Sequence, residues 1–182
     1  ATDRSRVARH LFGNLPMYEP GLDGLVAKNV SAGRLQFTTD LARAVAEADA
    51  VFIAVGTPSR RGDGHADLSY VYGAAEEVAA ALGDYTVVVT KSTVPVGTGT
   101  EIERIMRKAR PAADFDVASN PEFLREGQAL ADMMHPDRIV IGTDSEEATQ
   151  VMRQLYAPFN RNHDRLMVMD IPSAELTKYA SN

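Results

Sequence analysis

Three times along this chain a short, largely apolar run stops abruptly at glycine, proline, hydroxyl or charged side chains. Residues 50–55 stop at Gly56-Thr57-Pro58. Residues 86–90 stop at Lys91-Ser92-Thr93-Val94-Pro95-Val96-Gly97-Thr98, and residues 115–118 stop at Ser119-Asn120-Pro121-Glu122. The unbroken apolar run 50–55 suits a strand buried on both faces, and 86–90 is rich in β-branched residues, which favour strands. Between them lie stretches with helical periodicity. Leu22, Leu25, Val26 and Val30 form one stripe. Val71, Ala74, Ala75, Val78 and Leu82 form a second, closed by Gly83 acting as a helix stop. Ile102, Ile105 and Met106 form a third, followed by Arg107, Lys108 and Arg110, where basic charge suits a helix C-terminus.

Further strands are expected at 35–38, 138–142 and 166–169. Further helices are expected at 4–12, at about 145–156, from a Thr39 or Asp40 cap through Ala48, and after a Ser173 cap. Strands alternating with helices imply an α/β fold, Rossmann-like and doubly wound. Its mostly parallel sheet should be covered on both faces, with right-handed connections.

A chain of 182 residues suits one domain, or one domain and part of another. The division expected is a nucleotide-binding domain over 1–170 and, over 171–182, the start of a helix leading into further domains. Net charge is −6 without a basic block, which argues against a nucleic-acid partner. No apolar run is long enough for a membrane span. With no cysteine, neither a disulfide nor a thiolate nucleophile can form within these residues. The four histidines, His10, His65, His135 and His163, are scattered, and no metal site is expected.

Ligands of open parallel sheets sit outside the carboxyl ends of the strands, so the three polar exits should share one edge and one cleft. Gly56 lets a ligand approach the backbone closely. Lys91, Ser92 and Thr93 stand ahead of a helix whose N-terminus favours anions; Ser92, Thr93 or Thr98 also fit as simple caps of that helix. Glu122 and Glu126 are four residues apart and share a face if 123–131 is helical. Lys178 and Asn182 stand in the same relation near the end of the sequence. Spacing alone equally allows Lys178 to pair with Glu175.

Taken in order, these motifs resemble the N-terminal portion of the UDP-glucose/GDP-mannose dehydrogenase family, enzymes that oxidise the C6 alcohol of a nucleotide-sugar to a carboxylate. The residues that carry the resemblance are 16–22, 52–58, 91–98, 120–127, 136–142, and Glu175 with Lys178, Tyr179 and Asn182. The resemblance implies NAD as cofactor and UDP-glucose as substrate, with GDP-mannose or UDP-N-acetylmannosamine as sister substrates. It also implies two hydride transfers, through an aldehyde and a thioester, in a cytoplasmic homodimer.

By the same resemblance Val55, Gly56, Thr57, Ser92, Thr93 and Glu126 approach NAD, and Asp3 is the candidate for the ribose. Thr93 orders a catalytic water. Glu122 is the acid at the reacting centre, and Glu122, Phe123, Leu124, Arg125 and Glu126 run along the sugar nucleotide. Lys178 and Asn182 polarise the sugar oxygen. The family's opening Gly-x-Gly-x-x-Gly turn is not found, so the chain is expected to start just past that unit. The cysteine nucleophile is expected on a later segment, which makes this stretch inactive by itself. A non-catalytic α/β binding module is the alternative reading.

Overall fold

The computed structural model of the protein describes residues 19–59, 62, 66–160 and 164–181. The candidate positions Asp3 and Asn182, and the helix expected over 4–12, lie outside these residues.

Valine-rich runs supply the centre of the sheet. The strands are β1 (Ala50–Ile53), β2 (Thr86–Thr90), β3 (Phe115–Ser119), β4 (Ile139–Gly142) and β5 (Leu166–Met169), in the spatial order β1-β2-β3-β4-β5. Every residue of β2 and of β4 is buried, as expected for strands covered on both faces. β1, β2 and β3 are parallel, with Ala50 level with Val87 and Val87 level with Asp116. Their carboxyl ends therefore share one edge. β4 turns over and meets β3 antiparallel at Ser119 and Gly142, while β5 runs parallel to β4.

The connecting helices are α1 (Leu22–Ser31), α2 (Leu41–Ala46), α3 (Ser69–Ala81), α4 (Thr98–Ala109), α5 (Ala129–Met134), α6 (Glu146–Tyr156) and α7 (Ile171–Ser181), with a short 3-10 turn at Ala157–Phe159. β-strand alternation sends Val88 to one face, among Val71 and Val78 of α3, Ile102 and Met106 of α4, and Ile171 of α7. Val87 and Val89 go to the other face, against Ala148, Met152 and Tyr156 of α6. Helices on both faces make the sheet doubly wound.

Four local expectations are corrected. Residues 35–38 form no ladder with any described strand; Leu35 and Phe37 are half-buried and Gln36 and Thr38 exposed, so the expected alternation is there. Gly83 does not end α3 through a left-handed backbone. A Cβ on it would collide with the Ala46 carbonyl at the end of α2, so close packing demands the glycine. Asp170, not Ser173, caps α7: its carboxylate accepts the Ser173 N–H at 2.8 Å and the Ser173 hydroxyl at 3.0 Å. The fourth, a helix over 123–131, belongs to the site.

Candidate functional site

The exits of β1 and β2 are stitched together by their own polar groups. The Lys91 N–H donates to Ile53 O at 3.0 Å. The Ser92 hydroxyl donates to Val55 O at 2.7 Å, and the Thr57 hydroxyl to Thr93 O at 3.2 Å. Val55, Thr57, Ser92 and Thr93 thus form one half-buried ledge. Gly56 is exposed on it, and a Cβ added there meets nothing within 4 Å. The backbone is open to a ligand at the place where the cofactor residues were expected.

Past this ledge the chain turns through Gly97, at φ 95°, into α4. The N-terminus of α4 is not free for an outside anion. Glu175 of α7 fills it, accepting the Gly97 N–H on Oε2 and the Gly99 N–H on Oε1, each at 2.7 Å. Ser92 and Thr93 therefore do not cap this helix, and the Thr98 hydroxyl donates to Pro95 O at 2.6 Å. Glu175 is 2% exposed. Burial raises its carboxyl above the ordinary value, partly offset by the two N–H donors.

At the exit of β3, Asn120 (2% exposed) joins three elements. Its Nδ2 donates to Val140 O at 2.8 Å, and its Oδ1 accepts Lys91 Nζ at 3.2 Å together with the Tyr156 hydroxyl. Burial pushes the Tyr156 phenol up to about 12, against the opposite pull of the Asn120 bond. Burial also lowers the Lys91 ammonium, with Glu122 opposing that shift and Lys178 adding to it.

Residues 121–125 are not helical, and α5 begins at Ala129. Two backbone donors here go to carboxylates: Leu124 N–H to Glu122 Oε2 at 2.6 Å, and Arg125 N–H to Asp132 Oδ2 at 2.9 Å. Gly127 then turns the chain at φ 78°. Glu122 and Glu126 therefore do not share a helix face. Leu124, Arg125 and Glu126 are exposed, Leu124 and Arg125 beside a cavity, with Arg125 paired to Asp132 at 2.6 Å.

Lys178 is 8% exposed and does not pair with Glu175. Its Nζ stands 3.1 Å from Glu122 Oε1, donates also to Glu122 O, and lies 5.5 Å from the Phe123 ring centre. Burial alone would raise the Glu122 carboxyl. The Leu124 N–H, Lys178 and Lys91 outweigh it and hold the group below the ordinary value. An ammonium carries three N–H groups, so one remains for an oxygen from outside.

Beside this pair is a cavity of about 330 Å³, whose walls include Lys91, Asn120, Glu122, Phe123, Arg138 and Tyr156. The Arg138 guanidinium lies 4.5 Å over the Phe123 ring. Tyr156 and Arg138 were not among the expected site residues, and Lys91 was expected only as part of the anion-favouring exit ahead of α4. A lysine directly after a valine-rich strand was a signal for Lys91, because a charge there starts out beside the core.

A doubly wound sheet with an open glycine at one strand exit and a buried ammonium–carboxylate pair at another defines a class: the Rossmann-like nucleotide-binding domain. The comparisons agree. Residues 2–160 match the model of the UDP-glucose/GDP-mannose dehydrogenase family, NAD binding domain. The chain belongs to that family. It is 59% identical to a UDP-glucose 6-dehydrogenase of Rhizobium meliloti over 99% of its own length and 42% of the relative's. A UDP-glucose dehydrogenase structure from Pyrobaculum islandicum superposes with a TM-score of 0.90 at 44% identity, covering 98% of this chain and 41% of that one. A GDP-mannose dehydrogenase structure from Pseudomonas aeruginosa gives 0.91 at 32% identity, covering 100% and 42%. The chain thus spans about two fifths of the length of these relatives.

Proposed function

We propose that this chain is the NAD-binding part of an enzyme that oxidises UDP-glucose to UDP-glucuronate. The observation that carries the reading is the Lys178–Glu122 pair, 3.1 Å apart at the carboxyl edge of the sheet. Glu122, held below the ordinary carboxylate range, is ionised at neutral pH and able to accept a proton from a C6 hydroxyl. The remaining N–H of Lys178 offsets negative charge developing on that oxygen, and Asn182 is the second donor. Thr93 orders water, and residues 122–126 run along the sugar nucleotide.

The open backbone at Gly56 fits the cofactor. Asp3, Val55, Gly56, Thr57, Ser92, Thr93 and Glu126 would hold NAD, which when bound accepts hydride. Residues 1–170 form the binding domain, and 171–182 start the helix that leads to the segment carrying the nucleophilic cysteine. On this reading the enzyme is a cytoplasmic homodimer whose product feeds polysaccharide biosynthesis. The high identity to UDP-glucose 6-dehydrogenases supports the choice of substrate.

The test is NADH formation by the full-length polypeptide. UDP-glucose is expected to yield two NADH per sugar and GDP-mannose none, and K178M to lower kcat about a hundredfold or more, the scale of losing one oxyanion donor. No NADH from UDP-glucose overturns the reading.

A further inference from the structure

Lys178 reaches Glu122 only if α7 is held at the right height over the sheet. Packing alone fixes its first turn: a Cβ on Gly99 would stand 2.6 Å from Ile171 Cγ2, and a Cβ on Gly142 would stand 2.5 Å from Ala174 Cβ. The polar restraint comes next along the helix. Glu175 lies one turn before Lys178 on the same face, and both of its oxygens are bound by backbone N–H groups of the α4 N-terminus. Those donors belong to the segment that begins at Lys91, Ser92 and Thr93. One carboxylate therefore spans the cofactor ledge and the helix that carries the ammonium.

We propose that Glu175 is a positioning residue for the Lys178–Glu122 pair, acting as a built-in anion that locks α7 to the N-terminus of α4. Two features make the charge and shape of the group matter, beyond its volume. The donors are two separate N–H groups, each on its own oxygen, and a glutamine offers one acceptor and turns an NH₂ toward the other donor. The helix N-terminus also carries positive potential, which a carboxylate satisfies and an amide does not. α4 has no cap from its own sequence, since Gly97 holds the N-cap position without a side chain.

The catalytic consequence rests on the function proposed above, whereas the lock itself does not. The first readout is therefore independent of turnover. In the full-length protein, amine-labelling rates of individual lysines are followed by mass spectrometry, with the exposed Lys28 and Lys108 as internal references. E175A is expected to raise labelling of Lys178 at least tenfold while leaving Lys28 and Lys108 unchanged. Added formate, a carboxylate small enough for the vacated space, is expected to return Lys178 toward the wild-type rate. E175Q is expected to expose Lys178 as well, with no response to formate because its side chain fills the space.

The second readout is turnover: both variants are expected to lose tenfold to a hundredfold in kcat, the scale of a displacement of about an ångström in a catalytic group. Formate should restore E175A alone. Unchanged Lys178 labelling in E175Q, or an E175A protein indifferent to formate, overturns the proposal and leaves Glu175 a packing residue. Should E175A fail to fold, E175Q decides by the same labelling measurement. Absence of NADH from the wild type would count against the proposed function and leave the labelling result standing.

Discussion

At the scale of single residues, the site was readable where chemistry is local and unreadable where it joins distant parts of the chain. Gly56, Thr57, Ser92 and Thr93 were singled out because they end apolar strands, and they do form one ledge. The partner of Lys178 was beyond reach. Spacing offers Glu175 three residues away, but the structure pairs Lys178 with Glu122, 56 positions distant, and sends Glu175 to donors 76 and 78 positions distant. Burial decides it: a carboxylate at 2% exposure needs fixed donors, and two helix-end N–H groups supply them. Gly56 gives a residue-scale test of the ledge. Its φ is not in the left-handed region and an added Cβ meets no atom within 4 Å. G56A is expected to leave stability within about 0.5 kcal/mol of wild type. On the function proposed above, the new methyl group stands where NAD approaches the backbone, so NAD affinity should fall about tenfold or more. Calorimetric titration of the full-length protein with NAD, beside a thermal melt, reads both; unimpaired NAD binding would place the cofactor elsewhere.

At the scale of elements, the strands and most helices follow from periodicity, because each is defined by residues that touch its own core face. β2 was legible from its valines and α4 from its stripe of Ile102, Ile105 and Met106. The helix expected over 123–131 starts only at Ala129, because Gly127 turns the chain at φ 78°, a left-handed backbone that a helix interior does not admit and that side-chain periodicity does not register. The reversal of β4 against β3 left no mark in the apolar pattern either, since a strand buried on both faces reads alike in both directions. The docking of α7 on this reversed strand depends on Gly142. A Cβ there would stand 2.5 Å from Ala174 Cβ and 3.0 Å from both Asp170 O and Ile171 Cα, two of them backbone atoms that cannot swing aside. G142A is expected to cost about 1–3 kcal/mol, as overpacking does. Because α7 carries Lys178, the same change should lower kcat more than it raises KM. A denaturant titration with steady-state kinetics measures the pair, and a variant as stable as wild type would show that α7 rides more loosely than drawn.

At the scale of the whole molecule, charge is the property that couples these parts, and two carboxyls, the half-buried Glu122 and the buried Glu175, give it opposite signs. The folded pKa of Glu122 lies below the ordinary glutamate value of 4.5, so the stability its charge confers is present above that pH and is lost as pH falls through the folded value. Glu175 is raised above 4.5, so its contribution is fully present below 4.5 and is lost as pH rises through the folded value. The two windows meet at 4.5 without overlapping. Other carboxyls such as the half-buried Asp132, lowered to about 2 by Arg125, also contribute to acid unfolding, which makes the raw pH profile a poor guide. The difference between wild type and E122Q removes them. Glu122 is about one-third exposed on its side chain, so solvent screens the pair. Its worth is about 1 kcal/mol, or about 2–4 °C in melting temperature for a domain of this size. That gap is expected to be constant from pH 7 down to about 5, to shrink below 4.5, and to close once Glu122 is protonated in both folded and unfolded states. Melting curves of the two full-length proteins across that range supply the test. A gap that persists at the acid end would mean that Glu122 stabilises the fold through its shape and hydrogen bonds and not through its charge, and the ammonium–carboxylate pair would lose its claim to be the electrostatic centre of the site.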